Sequence, residues 1–94
     1  MDINYEGLKI TPRAIDEAEK QDKNLDYFRI MIEVNRTREV PRMSEMYKII
    51  YIGILGSGQE LKYEEFLKDI EDKNMGIDKI YTIFNELISG KPKN

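Results

Sequence analysis

Between Met46 and Leu55 the chain reads MYKIIYIGIL, eight large apolar side chains with Lys48 as the one charge. A membrane-spanning helix needs about 20 apolar residues, whereas a run of roughly 10–14 suits a helix buried in a core. This run is bounded by Ser44-Glu45 before it and Gly56-Ser57-Gly58-Gln59-Glu60 after it. It therefore predicts a central core helix over 44–56, with Ser44 as its cap. Gly53 inside it costs about 1 kcal/mol against alanine, and close approach of a neighbouring helix is the compensation expected. The glycines of GILGSG do not make a phosphate loop, because no Lys-Ser or Lys-Thr follows Gly58.

The segments on either side carry amphipathic patterns. Thr11-Pro12 reads as a helix start, a hydroxyl cap followed by proline at the first helical position. That first helix puts Ala14, Ile15 and Ala18 on one face and ends near Gln21-Asp22-Lys23-Asn24. A second helix is predicted from Leu25 to Asn35, with Leu25, Phe28, Met31 and Ile32 widened by Tyr27, Ile30 and Val34 into a broad stripe. Pro41 then disfavours helix at Val40. The fourth, Lys62 to Lys73, sets Tyr63, Phe66, Leu67 and Ile70 opposite six charged residues. The fifth runs from Ile77 to Ser89, with Gly90 as its stop. Before all of these, Asp2–Tyr5 and Leu8–Thr11 alternate polar and apolar around Gly7, which fits a short β-hairpin or an extended arm.

The fold expected is mainly α: a compact bundle of about five helices around the central apolar helix, as one domain over 1–94 with a flexible tail at 90–94. Ninety-four residues are enough to bury roughly 60–70% of the unfolded chain's surface without staples.

Composition narrows the chemistry. The chain has no cysteine and no histidine, so it lacks thiolate nucleophiles and the side chain most used for acid–base catalysis and metal binding. Fifteen basic and 18 acidic residues are mixed along it, for a net charge of −3. That balance offers no field for nucleic acid or an anionic membrane. The opening MDINYEGLKI lacks the basic and apolar regions of a signal peptide, which with the missing cysteine is compatible with an intracellular protein.

Candidate sites reduce to ordinary structure. In a calcium-loop reading with Gly76 at the sixth position, Lys73 and Met75 would fall where oxygen ligands are required. Glu64 and Glu65 are adjacent on a helix and point about 100° apart, a solvated face rather than a catalytic pair. Arg36, Arg38 and Arg42 have Glu39 among them and no aromatic stacking platform, as in a solvated connector. A recognition helix would need more cations than Lys79. No cofactor or metal is implied, and the chain is read as a non-enzyme. The last helix carries two apolar stripes, Ile77, Tyr81, Phe84, Ile88 and Ile80, Ile83, Leu87. Either the core covers both, or one is left over as a partner strip.

The order of these segments, Leu8-Lys9-Ile10-Thr11-Pro12-Arg13-Ala14-Ile15, then Ile49-Ile50-Tyr51-Ile52-Gly53-Ile54-Leu55, then Lys62-Tyr63-Glu64-Glu65-Phe66-Leu67, closing on Glu86-Leu87-Ile88, resembles the small tail assembly chaperones of long-tailed phages and prophages of Gram-positive bacteria. The likeness spans nearly the whole chain in order; it departs at Tyr5-Glu6-Gly7, where that family often has Asn-Gly-Lys. The resemblance implies a non-catalytic protein of the host bacterial cytoplasm. It would bind and coat the tape measure protein, leave as tail tube subunits assemble, and be absent from the mature virion. Homo-oligomers and tail tube subunits are further partners to consider. It also implies a frameshifted longer form, for which Pro92-Lys93-Asn94 is compatible with the slippery codons CCA-AAA-AAC. For the partner surface, Ile80, Ile83 and Leu87 are the residues expected. The alternative is a small helical interaction or DNA-binding regulatory module.

Overall fold

Two glutamates placed alike start two of the helices. Glu45 Oε1 accepts the N–H of Arg42 at 3.0 Å, and Glu65 Oε1 accepts that of Lys62 at 2.8 Å. Each closes an otherwise unpaired donor three residues back and places negative charge at the positive end of a helix. The helix predicted to be capped by Ser44 therefore begins one residue earlier, with Ser44 inside its first turn.

The computed structural model describes residues 2–37 and 41–89, and is compact and mainly helical. Its helices are α1 (Pro12–Gln21), α2 (Tyr27–Thr37), α3 (Met43–Gly56), α4 (Tyr63–Asp72) and α5 (Ile77–Ser89). Thr11 Oγ1 accepts the Ala14 N–H at 3.1 Å and caps α1 as its sequence predicts. Helix α2 starts two residues later than expected. Asp26 takes the capping position, accepting the Arg29 N–H at 3.3 Å, and Leu25, outside the helix, is buried in the core. At the end of α4, Asn74 adopts φ 51°, and the Met75 N–H reaches back to the Ile70 carbonyl at 3.1 Å. A left-handed residue with that bond closes the helix's free carbonyls. Arg38 and Val40 of the linker, the stop at Gly90 and the Pro92-Lys93-Asn94 run lie outside the described residues.

Helix α3 packs against α1, α2, α4 and α5. Met46 and the whole of Ile49–Ile54 are buried. Its seam with α4 is aromatic: the Phe66 ring lies 6.0–6.4 Å, centre to centre, from the rings of Tyr5, Tyr47, Tyr51 and Tyr63. Tyr51 is fully buried and its hydroxyl is satisfied, donating to the Leu61 carbonyl at 2.6 Å and receiving Gln21 Nε2 from the end of α1. One side chain thus ties α1, α3 and the approach to α4 together.

No strand forms among the described residues, so the hairpin reading gives way to an extended arm. Residues 2–10 keep the alternation read in the sequence: Ile3 is buried, Tyr5, Leu8 and Ile10 are half-buried, and Asn4, Glu6 and Lys9 are exposed. The inward residues meet the bundle, and the arm's backbone runs along α3 instead of pairing with itself. The glycines of α3 admit it. A Cβ at Gly56 would fall 1.8 Å from the Lys9 carbonyl oxygen, and one at Gly53 would fall 2.6 Å from Leu87 Cδ2 and 3.4 Å from Leu8 Cβ. The close neighbour expected at Gly53 is thus α5, joined by the arm.

Candidate functional site

Helix α5 draws its buried residues from both stripes of its sequence. Ile80 and Phe84 are buried, and Leu87 and Ile83 are half-buried against the core, Leu87 over Gly53. Ile77 and Tyr81, one turn apart, are 61% and 41% exposed. Of the surface expected at Ile80, Ile83 and Leu87, Ile80 is corrected, since it has no exposure and is unavailable to a partner, while Ile83 and Leu87 are half-buried. The exposed large apolar residues of α5 are Ile77 and Tyr81, at the start of the other stripe, whose Phe84 is buried.

Helix α2 shows the same division. Ile30 is buried, with Tyr27, Met31 and Val34 packed beside it, while Phe28 and Ile32 stand 61% and 65% exposed. They too are i, i+4 neighbours and share one surface. Phe28 is steadied by Tyr27, whose ring meets it edge-on at 5.5 Å. Around the pair, Arg29 is bonded to Asp26 (3.5 Å) and Arg36 to Glu33 (2.6 Å). The sequence reading placed Phe28 and Ile32 in the core stripe. The signal against this was the breadth of that stripe, too wide for a helix that packs on one side.

The polar groups of α4 and the arm build a network around Asp69. Asp69, on α4, is buried and accepts the Tyr5 hydroxyl at 2.7 Å, with Lys73 Nζ at 3.1 Å. Lys73 also sits 5.3 Å over the Tyr5 ring. Burial pushes the Asp69 carboxyl upward, but the tyrosine hydroxyl and the lysine ammonium outweigh it and hold its pKa below the ordinary value. Burial, then the hydrogen bond to Asp69, raises Tyr5. Burial likewise raises Tyr51, against the opposing hydrogen bond from Gln21, and lifts Tyr63 to about 12. Phenols held protonated in this way, with no acceptor poised for a substrate, make poor bases.

Two open clefts accompany these groups. One of about 300 Å³ lies between the end of α1 and the start of α4, lined by Gln21, Asp22, Leu25, Lys62, Tyr63 and Glu64. The other, about 500 Å³ between α2 and α3, has Asp26, Arg29, Glu33, Arg42, Glu45 and Lys48 in its walls, three acids against three bases. Glu65 is spent on its cap, and of the arginine cluster Arg36 is ion-paired within its own helix. Among the described residues no group of acidic side chains could hold a metal ion, and no helix is long and apolar enough to cross a membrane. Among the described residues the large apolar side chains left exposed are two pairs, Phe28/Ile32 and Ile77/Tyr81.

No family model matches this chain, and no curated protein or solved structure matches it.

Proposed function

We propose that this protein is a tail assembly chaperone of a long-tailed phage or prophage, which binds and coats the tape measure protein in the host cytoplasm, without catalysis, and leaves before the virion is complete. The segment order described above motivates the reading. The observation that carries it is the pairing of exposed apolar residues one helical turn apart on two separate helices, each bordered by charge. Such a pair accepts the apolar stripe of a partner helix, as in helix-in-groove recognition. The charged border keeps the unbound protein soluble. A long tape measure protein supplies many similar helical stripes, and a tolerant, shallow surface suits them better than a deep specific pocket.

The test is co-expression with the tape measure protein encoded in the same genome, followed by size-exclusion chromatography. The tape measure protein should stay soluble and co-elute with many copies of this chain. Phe28→Asp/Ile32→Asp and Ile77→Asp/Tyr81→Asp should each weaken co-elution while leaving helicity unchanged. If the tape measure protein precipitates beside an unbound, folded wild-type chain, the reading is wrong, and a helical interaction module with another partner takes its place.

A further inference from the structure

Residues 2–10 hold to the bundle through few polar contacts, all to residues far along the chain. The Asn4 N–H donates to Gln59 Oε1 and the Asn4 carbonyl accepts from Gln59 Nε2, both at 2.8 Å. The Tyr5 hydroxyl donates to Asp69. Among the described residues the arm's one backbone bond to the bundle runs from the Lys9 N–H to the Gly53 carbonyl, at 3.3 Å.

The bundle groups that receive the arm have a second partner of their own, except Gln59 Oε1, whose bond to Asn4 is exposed. The Gly53 carbonyl accepts the Ser57 N–H at 3.1 Å, the ordinary helical bond. Asp69 keeps Lys73 at 3.1 Å. Gln59 Nε2 also donates to Ser57 Oγ at 2.8 Å. A buried polar group stripped of its only partner is costly, which is what normally makes a segment inseparable from its core. Here that cost is removed in advance. The four main helix–helix packings all run through α3; the arm adds Ile3 to the core and the Tyr5 ring beside Phe66. Beneath the arm lies a floor of two glycines, Gly53 and Gly56, with Leu87 as a wall.

We propose that residues 2–10 form a strap that lifts off as a unit while the five helices stay folded, and that the seated strap holds shut an apolar seat floored by Gly53 and Gly56. The seat fits an extended segment with apolar residues at alternate positions, the pattern of the strap itself at Ile3/Tyr5 and Leu8/Ile10. The strap is therefore an intrachain occupant that any incoming segment of that kind must displace. This does not depend on the tape measure reading.

Native-state hydrogen exchange on the full chain tests it. The amides of Asn4 and Lys9 should exchange at one common rate, about 100-fold or more faster than those of Ile52 and Ile54 in α3. Tyr5→Phe, which removes only the hydroxyl, should speed both arm amides about ten-fold and leave the α3 amides unchanged. Gly56→Ala, which collides with Lys9, should speed the distant Asn4 amide as well. Arm and α3 amides exchanging together would show that the arm opens only with the whole molecule, and overturns the proposal. Arm amides that respond separately to the two variants would show residue-by-residue fraying, and overturns it equally.

Discussion

The carbonyl oxygen of Lys9 occupies the place where a side chain on Gly56 would begin, 1.8 Å from the Cβ position. The neighbour is backbone, so it cannot turn aside. Gly56→Ala should cost about 1–3 kcal/mol by overpacking. At Gly53 the close atom is the tip of Leu87, which can change rotamer, and alanine returns about 1 kcal/mol of helix propensity. Gly53→Ala should therefore fall within about 1 kcal/mol of wild type. Urea unfolding of the two variants side by side checks the contrast, and equal costs would contradict it.

Asp69 makes stability depend on acid. Its folded pKa lies below the ordinary 3.8, so the stabilisation is complete above that value and is lost as pH falls through and below it. Asp69→Asn keeps an acceptor for Tyr5 but loses the charge that holds Lys73. It should cost about 1–3 kcal/mol at pH 7, and the gap from wild type should narrow as pH falls below 3.8. Unfolding free energies of both proteins at pH 7 and pH 3 measure this.

The tyrosines set an opposite limit. Tyr5, Tyr51 and Tyr63 all have raised values, Tyr63 about 12, so the protonated hydroxyl is favoured by the fold. Their stabilisation is intact below about pH 10 and is lost as pH rises through the raised values. Absorbance at 295 nm should show phenols that stay protonated above pH 10 and ionise together with the loss of far-ultraviolet ellipticity. Ionisation of every tyrosine near pH 10 with the fold intact would contradict the burial described.

Ile80 and Tyr81 are neighbours in sequence with opposite environments, 0% and 41% exposed. Ile80→Ala should cost about 2–5 kcal/mol as a core truncation. Tyr81→Ala should stay within about 0.5 kcal/mol, as surface changes do. Thermal unfolding of the two variants measures the difference.

Helix existence was legible in the sequence because local signals agreed: Thr11-Pro12 at α1, the Ile77 start and Ser89 end of α5, and the apolar run of α3. Small shifts came from caps that compete over two or three residues, as Glu45 reaching Arg42 overrode the hydroxyl of Ser44. The arm's alternation was legible, but its partner was not. Period-two patterning reports which residues face inward, and a helix with glycines satisfies it as well as a strand does. The apolar surface was half legible. A stripe broader than one face announces a surplus on α5, and would have announced it on α2. Which residues are left outside depends on contacts across the fold, such as Leu87 over Gly53, that no local pattern contains.

The bond from Tyr5 to Asp69 joins residues 64 positions apart. On a ribosome adding about 5–20 residues per second, roughly 3–13 s separate the making of the two. Within this stretch of chain the arm is thus made before the residues it binds, and it is among the last segments to find its place. Until α3 is made, Leu8 lacks the neighbour it has at Gly53, and the α3 groove is unbuilt. Whatever competes for that groove meets least resistance while the chain is being born.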